Sequence, residues 1–284
     1  FTGKGKLLSR PIDELKSCLV SNGAIISGFS VGGKLKAGKF IIDGSISSQY
    51  ITGLLFALSI LNGKSTITLT TKLTSKPYVD ITKEVLKGYG VSIVETQNGF
   101  IIKGGQKFNG HLLPEGDWSN ASAFLVLGAI CGRAKVNGLN VNSTQGDKKI
   151  LQVLEDAGCE FNVDQNGVET IKSDLRSFVF DAEDCPDLVP VISVLGAVAK
   201  GTTVITGVER LKIKESDRIL STLSSLNAFG VKAESDQKSI TILKIRLLFI
   251  MESCKTQKQF YVGIMTIELL WQAPFWAQSQ VAKA

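Results

Sequence analysis

The sequence predicts an α/β protein assembled from repeated units, with apolar helices inside and sheets outside them. Three observations carry that prediction. One helix type, with an aspartate at its start and a glycine at its end, recurs at near-constant spacing. A second, more apolar helix type alternates with it, and each helix runs into a β-rich segment. The chain has 284 residues, 44% hydrophobic and 20% charged, which suits a globular protein long enough for two domains.

The first helix type reads "IDELKSCLVSNG" from Asp13, "VDITKEVLKGYG" from Asp80, "GDKKILQVLEDAG" from Asp147 and "SDRILSTLSSLNAFG" from Asp217. Those aspartates stand 67, 67 and 70 residues apart. Each copy is amphipathic, with the acidic residue expected as N-cap and the glycine expected at the C-cap. The second type reads "SSQYITGLLFALSILNG", "DWSNASAFLVLGAICG" and "CPDLVPVISVLGAVAKG", followed by "KSTITL", "RAKVNGLNV" and "TTVITGV". Helices apolar all round belong in an interior. The unit is therefore β-α-β-α-β-β, present more than three times.

A polar stretch with Gly and Pro, "FNGHLLPEGDWSN", marks a domain boundary. The expected division is 1–113 for the remainder of a first domain (the last part of one repeat unit plus the following unit), 114–245 for part of a second, and 246–284 for a tail. The cleft between two such domains is where a ligand is expected.

Composition narrows the function. The net charge of +6 is mild and no Lys/Arg run is present, so no nucleic-acid partner is expected, whereas a small anionic substrate fits. The five cysteines (Cys18, Cys131, Cys159, Cys185 and Cys254) are scattered and lack C-x-x-C spacing, which predicts reduced thiols in a cytoplasmic protein. A single histidine, His111, makes no metal site with them. The longest apolar run, Ile51–Leu61, is too short to span a membrane, and no signal peptide is read at the start.

Three short stretches carry polar groups where chemistry could sit. "GSISSQY" places Ser45, Ser47, Ser48, Gln49 and Tyr50 at the mouth of an apolar helix. Serines there can cap the helix, or can hold an anion with the help of the free amides. "KIKESDR" places Lys214, Glu215 and Arg218 at i, i+1 and i+4. On one helix Lys214 and Arg218 would share a face, either as a solvated charge row or as two cations gathered for one anionic ligand. "CPDLVP" places Asp187 at the start of an otherwise apolar helix, favourable for a carboxylate on dipole grounds alone.

Taken together and in order, "GSISSQYITGLL", "LTSKPYVDIT", "GDWSNASAFL", "QGDKKILQVLEDAG", "CPDLVPVISVLGAVAKGTT" and "ERLKIKESDRI" resemble the 5-enolpyruvylshikimate-3-phosphate synthase family from about Arg10 to about Leu243. The resemblance implies a two-domain, inside-out α/β barrel of β-α-β-α-β-β units. It implies transfer of the enolpyruvyl group of phosphoenolpyruvate to the 5-hydroxyl of shikimate 3-phosphate, with loss of phosphate. By match, shikimate 3-phosphate is held by Ser47, Ser48, Gln49, Ser75, Tyr78, Asp187 and Lys214, and phosphoenolpyruvate by Arg10, Gln49 and Arg218. Asp187 is implied as general base on the attacking hydroxyl and Glu215 as proton donor or acceptor at the enolpyruvyl carbon. No metal or organic cofactor is implied, and a cytoplasmic monomer is expected. Read without the resemblance, Ser75 is a turn residue before Pro77, and Arg10 an exposed residue before a helix-starting Pro11.

The chain also departs from the family. Its early Lys-Ser pair, a downstream Arg and an Asn-Ala-Gly-Thr loop have no counterpart here. After "SITILK" the expected Asn-Asp-His-Arg helix is missing as well. Reading the codons of Met265–Ala277 one base earlier permits N-D-H-R-I-A-M-A-S-A-I-L-G, so a frameshifted tail is expected, with a divergent genuine terminus as the alternative. Two other functions stay open. One is a related nucleotide-sugar enolpyruvyl transferase, which lacks the S-S-Q segment. The other is a truncated, non-catalytic protein that keeps only the shikimate 3-phosphate half-site.

Overall fold

A computed structural model describes residues 1–3, 8, 10–214 and 216–243. The tail expected from residue 246 therefore lies outside the described residues. The chain divides into two compact units: residues 1–114 with 144–146, and residues 115–143 with the chain from Asp147 onward.

The first unit opens with α1 (Asp13–Val20) and the hairpin β1 (Ala24–Ser27) and β2 (Ser30–Gly33). It continues β3 (Lys39–Ile42), α2 (Ser48–Ile60), β4 (Lys64–Leu69), α3 (Lys76–Gly88), β5 (Ile93–Thr96) and β6 (Gly99–Lys103). The sheet order is β3-β4-β6-β5, parallel between β3 and β4 and antiparallel elsewhere.

The second unit begins with α4 (Trp118–Cys131), β7 (Arg133–Asn137), α5 (Ile150–Asp156), β8 (Glu160–Asp164) and β9 (Gly167–Ile171), with sheet order β7-β9-β8. It ends with β10 (Val179–Asp181), α6 (Val189–Val198), β11 (Thr202–Thr206), α7 (Arg218–Ala228), β12 (Lys232–Ser235) and β13 (Ser239–Leu243). Their order, β10-β11-β13-β12, repeats the topology of the first unit strand for strand, including the parallel first pair. The described chain thus holds two whole β-α-β-α-β-β units, a third without its first strand, and an α-β-β remainder at the start. That is the α/β repeat the sequence predicts.

The two helix types behave differently. In α6 no residue is exposed, and in α4 only Asn120 and Phe124 are. Both helices lie in the core of the second unit with Trp118, Leu125, Ile192 and Leu195 fully buried. The small residues let them press on strands: a Cβ on Gly128 would meet the Thr170 hydroxyl at 2.3 Å and the Ala134 amide nitrogen at 2.7 Å. Gly196 stands likewise against the Thr203 side chain, at 2.8 Å. Gly128→Ala is accordingly expected to destabilise the protein by about 1–3 kcal/mol, since overpacking outweighs the roughly 1 kcal/mol gain in helix propensity. Urea unfolding checks this, and an unchanged midpoint would refute it.

Two expectations need correction. The helix α2 is not interior all round, because Phe56 and Ile60 are 36% and 62% exposed while Ile51, Leu54, Leu55 and Leu58 are buried. The repeated aspartates are not a uniform N-cap either. Asp217 caps α7, accepting from the Leu220 amide at 3.1 Å. Asp13 follows an Ile12 cap, however, and Asp147 sits inside the 3-10 turn Gly146–Lys149. Asp80 lies within α3, held by Lys76 and Lys83 at 2.8 and 2.7 Å, because Ser75 and Pro77 start that helix earlier. The glycine ends of the last three copies are alike. The amides of Val91, Cys159 and Val231 return to the carbonyls of Leu86, Leu154 and Leu226 at 2.8, 2.8 and 3.0 Å, around Gly90, Gly158 and Gly230 at positive φ.

Among the described residues no helix is long and apolar enough to cross a membrane. Among the described residues Cys18, Cys131, Cys159 and Cys185 form no disulfide.

Candidate active site

In the first unit the polar residues of "GSISSQY" take separate tasks. Ser45 serves its own loop: its amide and hydroxyl both donate to the Asp43 carboxylate at 2.7 Å, and Thr71 donates to the same oxygen. Those bonds, Ser45's first, hold the Asp43 carboxyl below its ordinary range. Ser47 is the N-cap of α2, its hydroxyl accepting from the Gln49 amide at 3.3 Å. Ser48 is the first helical residue, buried, and among the described residues its hydroxyl makes no hydrogen bond. Gln49 is exposed, and its side chain has no hydrogen bond among the described residues. Capping therefore accounts for Ser47 and leaves Ser48 over.

The same loop is laced to the segment before α3. Thr74 donates from its amide to the Gly44 carbonyl at 3.2 Å and from its hydroxyl to the Ser45 carbonyl at 3.1 Å. A Cβ on Gly44 would stand 3.1 Å from the Thr71 carbonyl, so the two loops lie backbone against backbone. That lacing brings the α2 entrance and Ser75 into one neighbourhood. Ser75 is 2% exposed and left-handed, φ 51° and ψ 41°, and its side chain does not cap α3. A non-glycine residue held there costs of order 1 kcal/mol or more, a strain that clusters at functional sites. Tyr78, half-buried, sits in the first turn of α3, its amide bonded to the Ser75 carbonyl at 3.2 Å. Thr52 and Thr82 join α2 to α3 at 2.8 Å.

Arg10 is half-buried, and its charge acts on Tyr50 in the first turn of α2, whose hydroxyl donates to the Pro11 carbonyl. Burial pushes the Tyr50 phenol up, against the pull of Arg10. The structure thus brings Arg10, Ser47, Ser48, Gln49, Ser75 and Tyr78 to one end of α2 and α3. Lys76, for which the sequence offered no role, pairs with Asp80.

In the second unit, Asp187 lies in the 3-10 turn Pro186–Leu188 just ahead of α6, half-buried. It forms an ion pair with the Nη1 group of Arg218, the first residue of α7, whose side chain is only 12% exposed. Lys214 and Arg218 do not share a helix face. Lys214 is extended, φ −77° and ψ −170°, at the end of the 3-10 turn Glu209–Ile213. Because Asp217 caps α7, the helix begins only at Arg218, and the i,i+4 stacking expected from the sequence does not form. Glu215, expected as the proton donor or acceptor, lies outside the described residues.

One residue that sequence reasoning passed over joins this group. Asp147, read only as a helix start, is 6% exposed and faces Asp187, Asp117 and Arg218. Burial first, then the Asp187 charge, pushes its carboxyl up to about 7. Cys185 next to it is pushed up to about 12, chiefly by burial, and is an inert thiol. No signal in the sequence set it apart, because it shares its motif with Asp13, Asp80 and Asp217 and differs from them in its burial.

With this geometry in place, comparison decides the family. The family model for EPSP synthase (3-phosphoshikimate 1-carboxyvinyltransferase) matches residues 1–254. The chain belongs to that family. The 3-phosphoshikimate 1-carboxyvinyltransferase of Clostridium novyi is 40% identical over 251 residues, covering 85% of this chain and 58% of the relative. That of Clostridium acetobutylicum is 41% identical over 242 residues, covering 82% and 56%. The chain therefore spans a little under three fifths of the length of these curated relatives.

Solved structures agree on the fold. EPSP synthase from Acinetobacter baumannii superposes with a TM-score of 0.68 at 24% identity, over 86% of this chain and 59% of that one. The enolpyruvyl transferase NikO from Streptomyces tendae gives 0.62 at 15% identity, over 82% and 58%. The α/β fold of the enolpyruvyl transferases is thus the fold of this EPSP synthase family chain.

Proposed function

We propose that the chain serves the transfer of the enolpyruvyl group of phosphoenolpyruvate to the 5-hydroxyl of shikimate 3-phosphate, releasing phosphate, in aromatic amino acid biosynthesis. The observation that carries this reading is the lacing of the α2 entrance to the Ser75 loop. It gathers a helix N-terminus, the spare Ser48 hydroxyl and Ser75 where a phosphate dianion is favoured. Ser47, Ser48 and Ser75 take the phosphate, and Gln49 and Tyr78 line the sugar-acid ring. Arg10 lies beside the same helix end and suits the carboxylate or phosphate of phosphoenolpyruvate.

Asp187 and Arg218 carry the acid–base and charge roles. The Asp187 carboxylate accepts the proton of the attacking hydroxyl, and Arg218 neutralises phosphoenolpyruvate, with Lys214 on the sugar-acid side. Glu215 passes the proton to or from the methylene carbon. Acid and base work by two carboxyls requires two environments, and the ion pair at Asp187 supplies one of them. Cysteines without disulfides among the described residues support a cytoplasmic location. The family match favours this reading over a nucleotide-sugar transferase.

Ser48→Ala tests the phosphate site without disturbing the cap, which belongs to Ser47. The affinity for shikimate 3-phosphate is expected to fall by about 1.5–3 kcal/mol, the range for a hydrogen bond to a charged group. Unchanged calorimetric affinity in a folded variant would return Ser48 to a packing role.

A further inference from the structure

Asp147 is a buried acid that the proposed reaction does not use. It sits in the 3-10 turn Gly146–Lys149 that opens α5, and among the described residues its Oδ1 has no hydrogen-bond partner. Among the described residues, the hydrogen bond that favours its charged form comes from Ser119 in the first turn of α4. A buried carboxylate needs several donors to stay ionised, whereas a carboxylic acid is at ease with one donor and an idle oxygen. The cation that acts on it, Arg218, is paired with Asp187.

We propose that Asp147 is a positioning residue for the Asp187–Arg218 pair: it holds a proton beside Asp187, which leaves Asp187 as the ionised partner of the guanidinium. This rests on the functional reading of that pair given above. The groups that face Asp147 come from several elements: Asp187 and Cys185 ahead of α6, Asp117 and Ser119 at the start of α4, and Arg218 at the start of α7. Lys149 of its own turn stands 4.0 Å from Asp184 and offsets part of that negative charge. While Asp147 is neutral, an anionic ligand meets Arg218 with one fewer opposing carboxylate. As pH rises through about 7, Asp147 ionises and opposes the ligand.

The sign for stability follows the same proton. An unfolded aspartate titrates near ~4, and the folded one near 7. Between those values the folded chain binds the extra proton, so stability falls as pH rises across that window and is level above it.

The test is carbon-13 NMR of the 284-residue chain labelled at the aspartate carboxyl carbons. One resonance is expected to titrate near pH 7, to vanish in Asp147→Asn, and to move down by about half a unit or more in Asp187→Asn as that charge is lost. If every aspartate titrates below about 5.5, or if the Asp147 signal ignores Asp187→Asn, the proposal is wrong. The wild-type titration stands even where a variant fails to fold. Separately, the affinity for phosphoenolpyruvate should fall about tenfold between pH 6 and 8.5 and stay flat in Asp147→Asn, tenfold being one unit of coupling. A flat wild-type profile would overturn the coupling. Absence of phosphoenolpyruvate binding at every pH, with the carboxyl titration as expected, would instead sink the functional reading and leave the held proton standing.

Discussion

Replacing Asp187 by Asn is expected to lower kcat for phosphate release by about 10²–10⁴-fold, the contribution of a positioned general base. The amide keeps the shape of the side chain in the Pro186–Leu188 turn and can still accept a hydrogen bond from a ring hydroxyl. It cannot take the proton. KM for shikimate 3-phosphate should therefore change much less than kcat. The same substitution removes the Asp187 charge from Arg218, whose side chain is 12% exposed. A stability loss of up to about 3 kcal/mol is expected beside the kinetic one, softened if Asp147 ionises in compensation. Steady-state phosphate release by an active form of the protein, read with a thermal melt, separates the two effects. A kcat within threefold of wild type would remove Asp187 from the chemistry.

Arg218→Ala should act on the other substrate. Truncating one member of a hydrogen-bonded charge pair costs about 2–5 kcal/mol, so kcat/KM for phosphoenolpyruvate is expected to drop by about 30-fold to several thousand-fold. Arg218→Lys should recover only part of that, because an ammonium cannot present the planar fork a carboxylate or phosphate accepts. Loss of Arg218 also leaves Asp147 facing the Asp187 charge without that cation, which raises the Asp147 carboxyl further. An Arg218→Ala enzyme with unaltered KM for phosphoenolpyruvate would show that the pair with Asp187 is the residue's whole purpose.

The sequence by itself determined the repeat. The alternation of amphipathic and apolar helices, each closed by glycine and followed by strand residues, is local information, because periodicity and capping act within a few residues. The order β3-β4-β6-β5 and its copy β10-β11-β13-β12 follow from that repetition. The polar entrance of α2 was legible for the same reason, since Ser47 and Ser48 are adjacent in the chain.

Only the tertiary structure decided how those groups are used. Which serine caps and which stays free depended on Asp43 and Thr71, the latter 26 residues beyond Ser45, drawing Ser45 into another network. Lys214 and Arg218 looked like one helix face, but a cap at Asp217 is a three-dimensional choice between competing hydrogen bonds, and it put the two cations on different elements. The ion pair between Asp187 and Arg218 spans 31 residues of sequence. Asp147 shares its motif with three other aspartates and differs from all three in its burial. Burial and long-range charge set what an acid does, and neither is written in the neighbouring residues.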